Sequence, residues 1–137
     1  MGLYRTTNAL VRQLDRRLLR AHDVTFIQAL TLVAIGSFDR PQPNLVATFL
    51  SQQSQTVTGV LDRLERAGHV HRFRDMNDRR AVRLELTDSG RKLAAAAEET
   101  LLRQVSTLFA GVEPSRLPAV TRDIESVDAS IDSSGDN

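Results

Sequence analysis

Leu3, Leu10, Val11, Leu14, Leu18 and Leu19 recur at helical spacing over residues 3–21, with the arginines mostly on the other side. A period of 3.6 residues gathers such positions on one face, which predicts an amphipathic first helix. Thr25 and Gln28 stand at capping-box spacing behind Val24, and the run FIQALTLVAIGSF is apolar on nearly all sides, so a buried second helix is predicted over 25–37. Pro41 and Pro43 stop propagation, because proline lacks the N–H a helix interior needs, and Asn44 can cap a short third helix through Leu50. A fourth helix runs from Ser54 to Ala67 with Val57, Val60, Leu61 and Leu64 on one side and Gly68 as its stop.

The period then changes. HVHRFR at 69–74 and AVRLEL at 81–86 alternate in character around the polar tip DMNDRR, the pattern of a hairpin. Capped by Thr87 or Asp88, a long helix to about Ala110 carries the stripe Leu93, Ala97, Leu101, Val105, Leu108 and Val112. Pro114 opens a last helix in which Leu117, Val120, Ile124, Val127 and Ile131 step by three and four residues, as in a coiled-coil seam. The predicted fold is mostly α (α+β), a winged helix-turn-helix at residues 25–87 flanked by dimerisation helices at 1–24 and 88–132, with 133–137 a disordered tail.

Length and composition narrow the function. A chain of 137 residues suits one domain, and no apolar run approaches the ~20 residues that span a bilayer. The N-terminal stretch threads charge through its apolar positions, unlike a secretory signal. A soluble, cytoplasmic protein with no membrane partner is the expectation. Absence of cysteine removes disulfides and thiolate metal sites. His69 and His71 share a strand face without a third ligand, so neither a metal nor another cofactor is expected. No nucleophile elbow, phosphate-cradling glycine loop, HExxH motif or paired catalytic carboxylates are present, which argues against an enzyme.

The net charge of +1 conceals a segregation: residues 1–92 hold 15 basic against 9 acidic residues, and residues 93–137 hold 3 against 8. Lys92 is the one lysine among 18 basic residues, and a guanidinium suits the planar, bidentate recognition of phosphates and base edges. With 4% aromatic residues there is no platform for stacking unpaired bases, so duplex DNA is the nucleic acid expected. In a winged helix-turn-helix the second helix of the turn places its outer face in a major groove while the hairpin follows the backbone. The candidates on and before that face are Asn44, Gln52, Gln53, Ser54, Gln55, Thr56, Thr58 and Arg63. Glutamine can bridge adenine N6 and N7, and hydroxyls reach phosphates or base edges. Arg72, Arg74, Arg79, Arg80 and Arg83 lie on the hairpin, where a tip guanidinium gains from the concentrated negative potential of a narrow minor groove. If Asp75 and Asp78 pair with the tip arginines instead, the tip is a salt-bridged turn. The rival reading is a winged-helix module that docks protein, which needs apolar anchors on the fourth helix or wing, where Phe73 and Met76 alone are available.

The run VTGVLDRLERAGHV at 57–70, followed by RDMNDRRAVRLELTDSG at 74–90, closely resembles the MarR (multiple antibiotic resistance regulator) family. That resemblance implies a homodimeric winged-helix repressor on a pseudo-palindromic operator, often released by a small aromatic ligand that binds between its two domains. It makes His22, at the junction of the first two helices, the ligand-site candidate, and Arg80 the arginine that enters the minor groove, with Arg79 on the backbone. Ser51 stands where a turn glycine is common, and Gly59 where many members carry a larger, often DNA-contacting residue. Glycine inside a helix costs about 1 kcal/mol relative to alanine, so Gly59 either admits close backbone approach or is tolerated. Lack of cysteine sets the chain outside the family's thiol-based peroxide sensors.

Overall fold

Thr25 opens the second helix as its spacing predicts. Its hydroxyl accepts from the Gln28 N–H at 3.2 Å and the Gln28 side chain accepts from the Thr25 N–H at 2.9 Å, so two donors near the helix start are satisfied reciprocally. The structure, a computed structural model, describes residues 1–134. Its elements in chain order are α1 (Gly2–His22), α2 (Phe26–Ser37), α3 (Pro43–Phe49), α4 (Ser54–Arg66), β1 (Val70–Arg74), β2 (Val82–Leu86), α5 (Asp88–Leu108) and α6 (Leu117–Ser134). Short 3₁₀ turns at Phe109–Gly111 and Pro114–Arg116 lie between α5 and α6. Among the described residues no single helix is long and apolar enough to cross a membrane.

Three boundaries depart from expectation. Gln42, not Asn44, precedes α3, and Pro43 takes the first turn, where its missing N–H would have had no helical partner. Asn44 therefore lies inside the helix. The long helix stops at Leu108, two residues early, where the chain tightens into the first 3₁₀ turn. The last helix continues through Ser134, two residues into the segment expected as a disordered tail, with the Ser133 and Ser134 hydroxyls donating to the Ser130 carbonyl at 3.0 and 2.7 Å. The remainder of that tail, residues 135–137, lies outside the described residues.

Two glycines and a threonine lock the hairpin to its flanking helices. Gly68 follows α4 with φ +81°, a conformation that L side chains rarely adopt. At Gly90 a Cβ would stand 1.9 Å from the His69 carbonyl oxygen, so only glycine lets the start of α5 pack on the entry to β1. Thr87 is the cap of α5, its hydroxyl oxygen accepting from the Gly90 N–H at 3.1 Å while donating to the Gly68 carbonyl at 2.6 Å. β1 and β2 pair antiparallel, with Val70 opposite Leu86, Arg72 opposite Leu84 and Arg74 opposite Val82. The Leu84 N–H also donates to the Pro41 carbonyl at 2.9 Å, which ties the loop before α3 to the hairpin.

The chain forms two compact units, Met1–Arg103 and a second beginning at Gln104. In the first, Leu32 and Ile35 of α2, Val46 of α3, Val57, Leu61 and Leu64 of α4, Val70, Leu84 and Leu86 of the hairpin and Ala94 of α5 make one core. A smaller cluster joins Leu18, Val24, Ala29 and Ala97, with Phe26, Leu93 and Leu101 packed on it. In the second unit, no described residue is buried.

Candidate nucleic-acid interface

The short helix α3 props α4 so that one side of α4 faces the core and the other faces solvent. Val57, Val60, Leu61 and Leu64 take the inner side. Gln55, Gly59, Asp62 and Arg66, stepping by four, three and four residues, make the opposite ridge. Gln52, Gln53, Ser54, Gln55, Thr56, Thr58 and Arg63 are all solvent-facing, as is Asn44 one helix earlier. Gln53 occupies the cap position of α4 with no side-chain cap bond, which leaves the first-turn N–H groups directed outward as donors for an anion. Two of the hydroxyls are already engaged: Thr58 donates to the Ser54 carbonyl at 2.9 Å, and Ser54 makes a long contact to the Asn44 Oδ1 at 3.5 Å.

In the wing the two aspartates build the turn. Asp75 Oδ1 accepts from the Asn77 N–H at 2.9 Å and its Oδ2 from the Arg83 guanidinium at 2.9 Å. Asp78 Oδ1 accepts from the Arg80 backbone N–H at 3.0 Å. The Asn77 N–H first, then Arg83, hold the Asp75 carboxyl below the usual aspartate range. Arg74 donates to the Arg79 carbonyl at 2.8 Å. The guanidinium groups of Arg79 and Arg80 take no part in any of these bonds; both residues are exposed, and neither side chain has an ion-pair partner among the described residues.

Arg72 stands apart from the other wing arginines. Strand alternation sets it on the side of Val70 and, across the ladder, Leu84, so it turns inward to α4. There it donates to Glu65 at 3.1 Å and makes a second, shorter ion pair with Asp62. Glu65 is held below, and Arg72 above, its ordinary value chiefly by their mutual hydrogen bond. Of the residues predicted for the interface, Arg72 is thus only half-exposed and already paired, and it clamps the hairpin onto α4.

The histidines are accounted for locally. His22 Nε2 lies 2.8 Å from the Thr100 hydroxyl and links α1 to α5 beside the smaller cluster. His69 bonds the Ser89 hydroxyl at 2.9 Å, and the His71 ring stacks on Phe73. Two residues of this surface escape the sequence reading. Arg66 ends the α4 ridge, a position that helical spacing from Gln55 and Gly59 would have given. Arg40, at φ 46°, sets its guanidinium 5.8 Å from the Phe73 ring centre, a contact between the α2–α3 loop and the wing that no local pattern announces.

A model of the MarR family matches residues 28–82. The chain is similar to the HTH-type transcriptional regulator TtmR of Methylorubrum extorquens, 40% identical over 78 residues that make up 57% of this chain and 40% of the relative. The curated relatives it matches are spanned over 40% to 63% of their lengths. In structure it is similar to the transcriptional regulator BldR from Sulfolobus solfataricus, with a TM-score of 0.80 and 25% identity over 91% of this chain and 90% of that one. It is also similar to a point mutant of S. aureus MepR bound to an oligodeoxyribonucleotide, with a TM-score of 0.62 and 26% identity over 95% of this chain and 96% of that one.

Proposed function

We propose that this chain, whose residues 28–82 match the MarR family model, is a homodimeric MarR-type transcriptional regulator that binds duplex DNA sequence-specifically. The observation that carries the reading is the division of labour in the wing. Asp75 and Asp78 are committed to the turn and to Arg83, so the Arg79 and Arg80 guanidinium groups face outward on the same module as the polar ridge of α4. A salt-bridged surface turn would have used those aspartates on the tip arginines. The S. aureus MepR mutant, whose structure holds an oligodeoxyribonucleotide, supports the same ligand for this fold.

In this reading α4 lies in a major groove. Gln55 bridges adenine N6 and N7, while Gln53 and the bare first-turn N–H groups meet a phosphate. Arg80 enters the adjacent minor groove and Arg79 contacts its backbone. Arg72 is a positioning residue: it fixes the wing against α4 and neutralises Asp62 and Glu65, two carboxylates that would otherwise repel the phosphates. A second copy covers the apolar residues left exposed on α1, α5 and α6, and its two-fold axis gives a pseudo-palindromic operator. Repression is occlusion of the promoter. A small aromatic ligand that separates α1 from α5 at the His22–Thr100 link, beside Phe26, Leu93 and Leu101, would relieve it by moving α2.

The test is a titration of labelled duplex DNA at several salt concentrations. Log affinity should fall linearly with log salt, by about 0.9 per phosphate neutralised. A chain that binds no duplex at low salt would leave the protein-docking module as the reading.

A further inference from the structure

Gly59 sits in the middle of the α4 ridge, between Gln55 one turn before it and Arg63 one turn after. A Cβ placed there would meet nothing within 4 Å, and its φ is not positive. Neither packing nor backbone conformation therefore asks for glycine, and the helix is less stable for having it. The result is an open gap, a notch one side chain deep in the outward face of α4, with Gln55 before it and, after it, Arg63 and the Asp62 carboxylate that Arg72 pairs.

The chemistry of the notch limits what can occupy it. In a helix interior the backbone N–H and C=O are consumed by bonds to residues four away, so the floor offers Cα hydrogens and no donor or acceptor. Base-pair edges in the major groove present donors and acceptors except at pyrimidine C5, where cytosine carries only a hydrogen and thymine an apolar methyl group that projects into the groove. A polar base edge driven into the notch would lose its water and gain no partner. We propose that Gly59 is a specificity-determining residue whose notch receives a thymine 5-methyl group in each half-site, beside the adenine read by Gln55. This inference rests on the duplex reading and adds to it the group that α4 reads without a side chain.

The experiment uses the full chain and a duplex selected from a random pool. Each thymine of a half-site is replaced singly by deoxyuridine, which removes the methyl and keeps the pairing. One position per half-site should weaken binding about three- to fivefold, the effect of one buried methyl. Gly59→Ala should raise the Tm, lose about tenfold or more of the preference for the selected duplex over a scrambled one, and become insensitive to deoxyuridine at that position. If every thymine of the half-site is replaceable at no loss, or if Gly59→Ala keeps the full preference, the notch is not read and the proposal is overturned. A wild-type chain that enriches no duplex would overturn the duplex reading itself, a result distinct from either of these.

Discussion

In α4, Val57, Val60, Leu61 and Leu64 are exposed by 4% at most, and what faces solvent is glutamine, serine, threonine, glycine, arginine and two carboxylates, Asp62 and Glu65, ion-paired with Arg72. In α6, Ile124, Val127 and Ile131 are exposed by 54%, 51% and 63%, and no residue is buried. Both helices carry an apolar stripe at the same periodicity. One stripe is covered by α2, α3, the hairpin and α5 within its own unit, whereas in the other Ile124, Val127 and Ile131 are exposed. Amphipathy tells that a face must be covered; it does not tell by what. The two regions thus expose surfaces of opposite character. The wing and α4 present cationic and polar groups to solvent and α6 presents apolar ones, which is why a duplex and a second copy are proposed together.

The largest effect should come from breaking the second region. Replacing Ile124 and Ile131 together by Asp should convert a species of twice the chain mass into monomers or aggregates in sedimentation at low micromolar concentration, and should abolish operator binding by uncoupling the half-sites. A wild-type chain that sediments as a monomer would show that no second copy covers the apolar seam of α6. Leu61→Ala attacks the first region. Leu61 is fully buried, so the cavity should cost about 2–5 kcal/mol in denaturant unfolding, whereas Ile124→Ala should leave the unfolding of the winged unit unchanged.

Smaller changes separate reading from holding. Gln55→Ala should weaken binding to the selected duplex by about 1–3 kcal/mol and affect a scrambled duplex much less; equal losses on both would reassign Gln55 to phosphate. Arg80→Ala should cost more affinity on A·T-rich than on G·C-rich flanks, and loss of a phosphate contact alone would instead act on both alike and lower the salt slope by about one. The smallest effect is one of pH. Because Asp75 is held below the usual aspartate range, its contribution to the turn is complete above that range and is lost as pH falls through the lowered value. Below about pH 4, the ordinary aspartate value, protection of the Asn77 amide relative to its intrinsic exchange rate should fall while protection at Leu61 stays high.

How much can be read in advance differs between the same two regions. The Thr25 box, the buried face of α4, the hairpin and the apolar seam of α6 are local patterns, and each is legible because a helix or strand period converts spacing into a face. Asn44 does not act as the cap its residue type suggests, because Pro43 competes for the same helix start and wins by having its φ already set. Arg72 reads as one more wing arginine until the pleat is counted from Val70, after which its inward direction follows; its partners Asp62 and Glu65 are tertiary and do not. The arginines at the tip are visible in the sequence, but that Asp75 and Asp78 are absorbed by backbone N–H groups and Arg83 depends on the closed turn. Arg40 reaches Phe73 through a left-handed backbone position, and nothing in its neighbourhood marks it.

Repeated selection of bound duplexes from a random pool by the full chain asks whether α4 and the wing read duplex DNA as a symmetric pair. Selection should enrich an inverted repeat whose half-sites lie about 10 base pairs apart, centre to centre, with A·T-rich sequence where the wings fall and one dimer per duplex. A pool that stays random after selection, or one that converges on a single unrepeated half-site bound by one chain, would contradict a symmetric reading of duplex DNA.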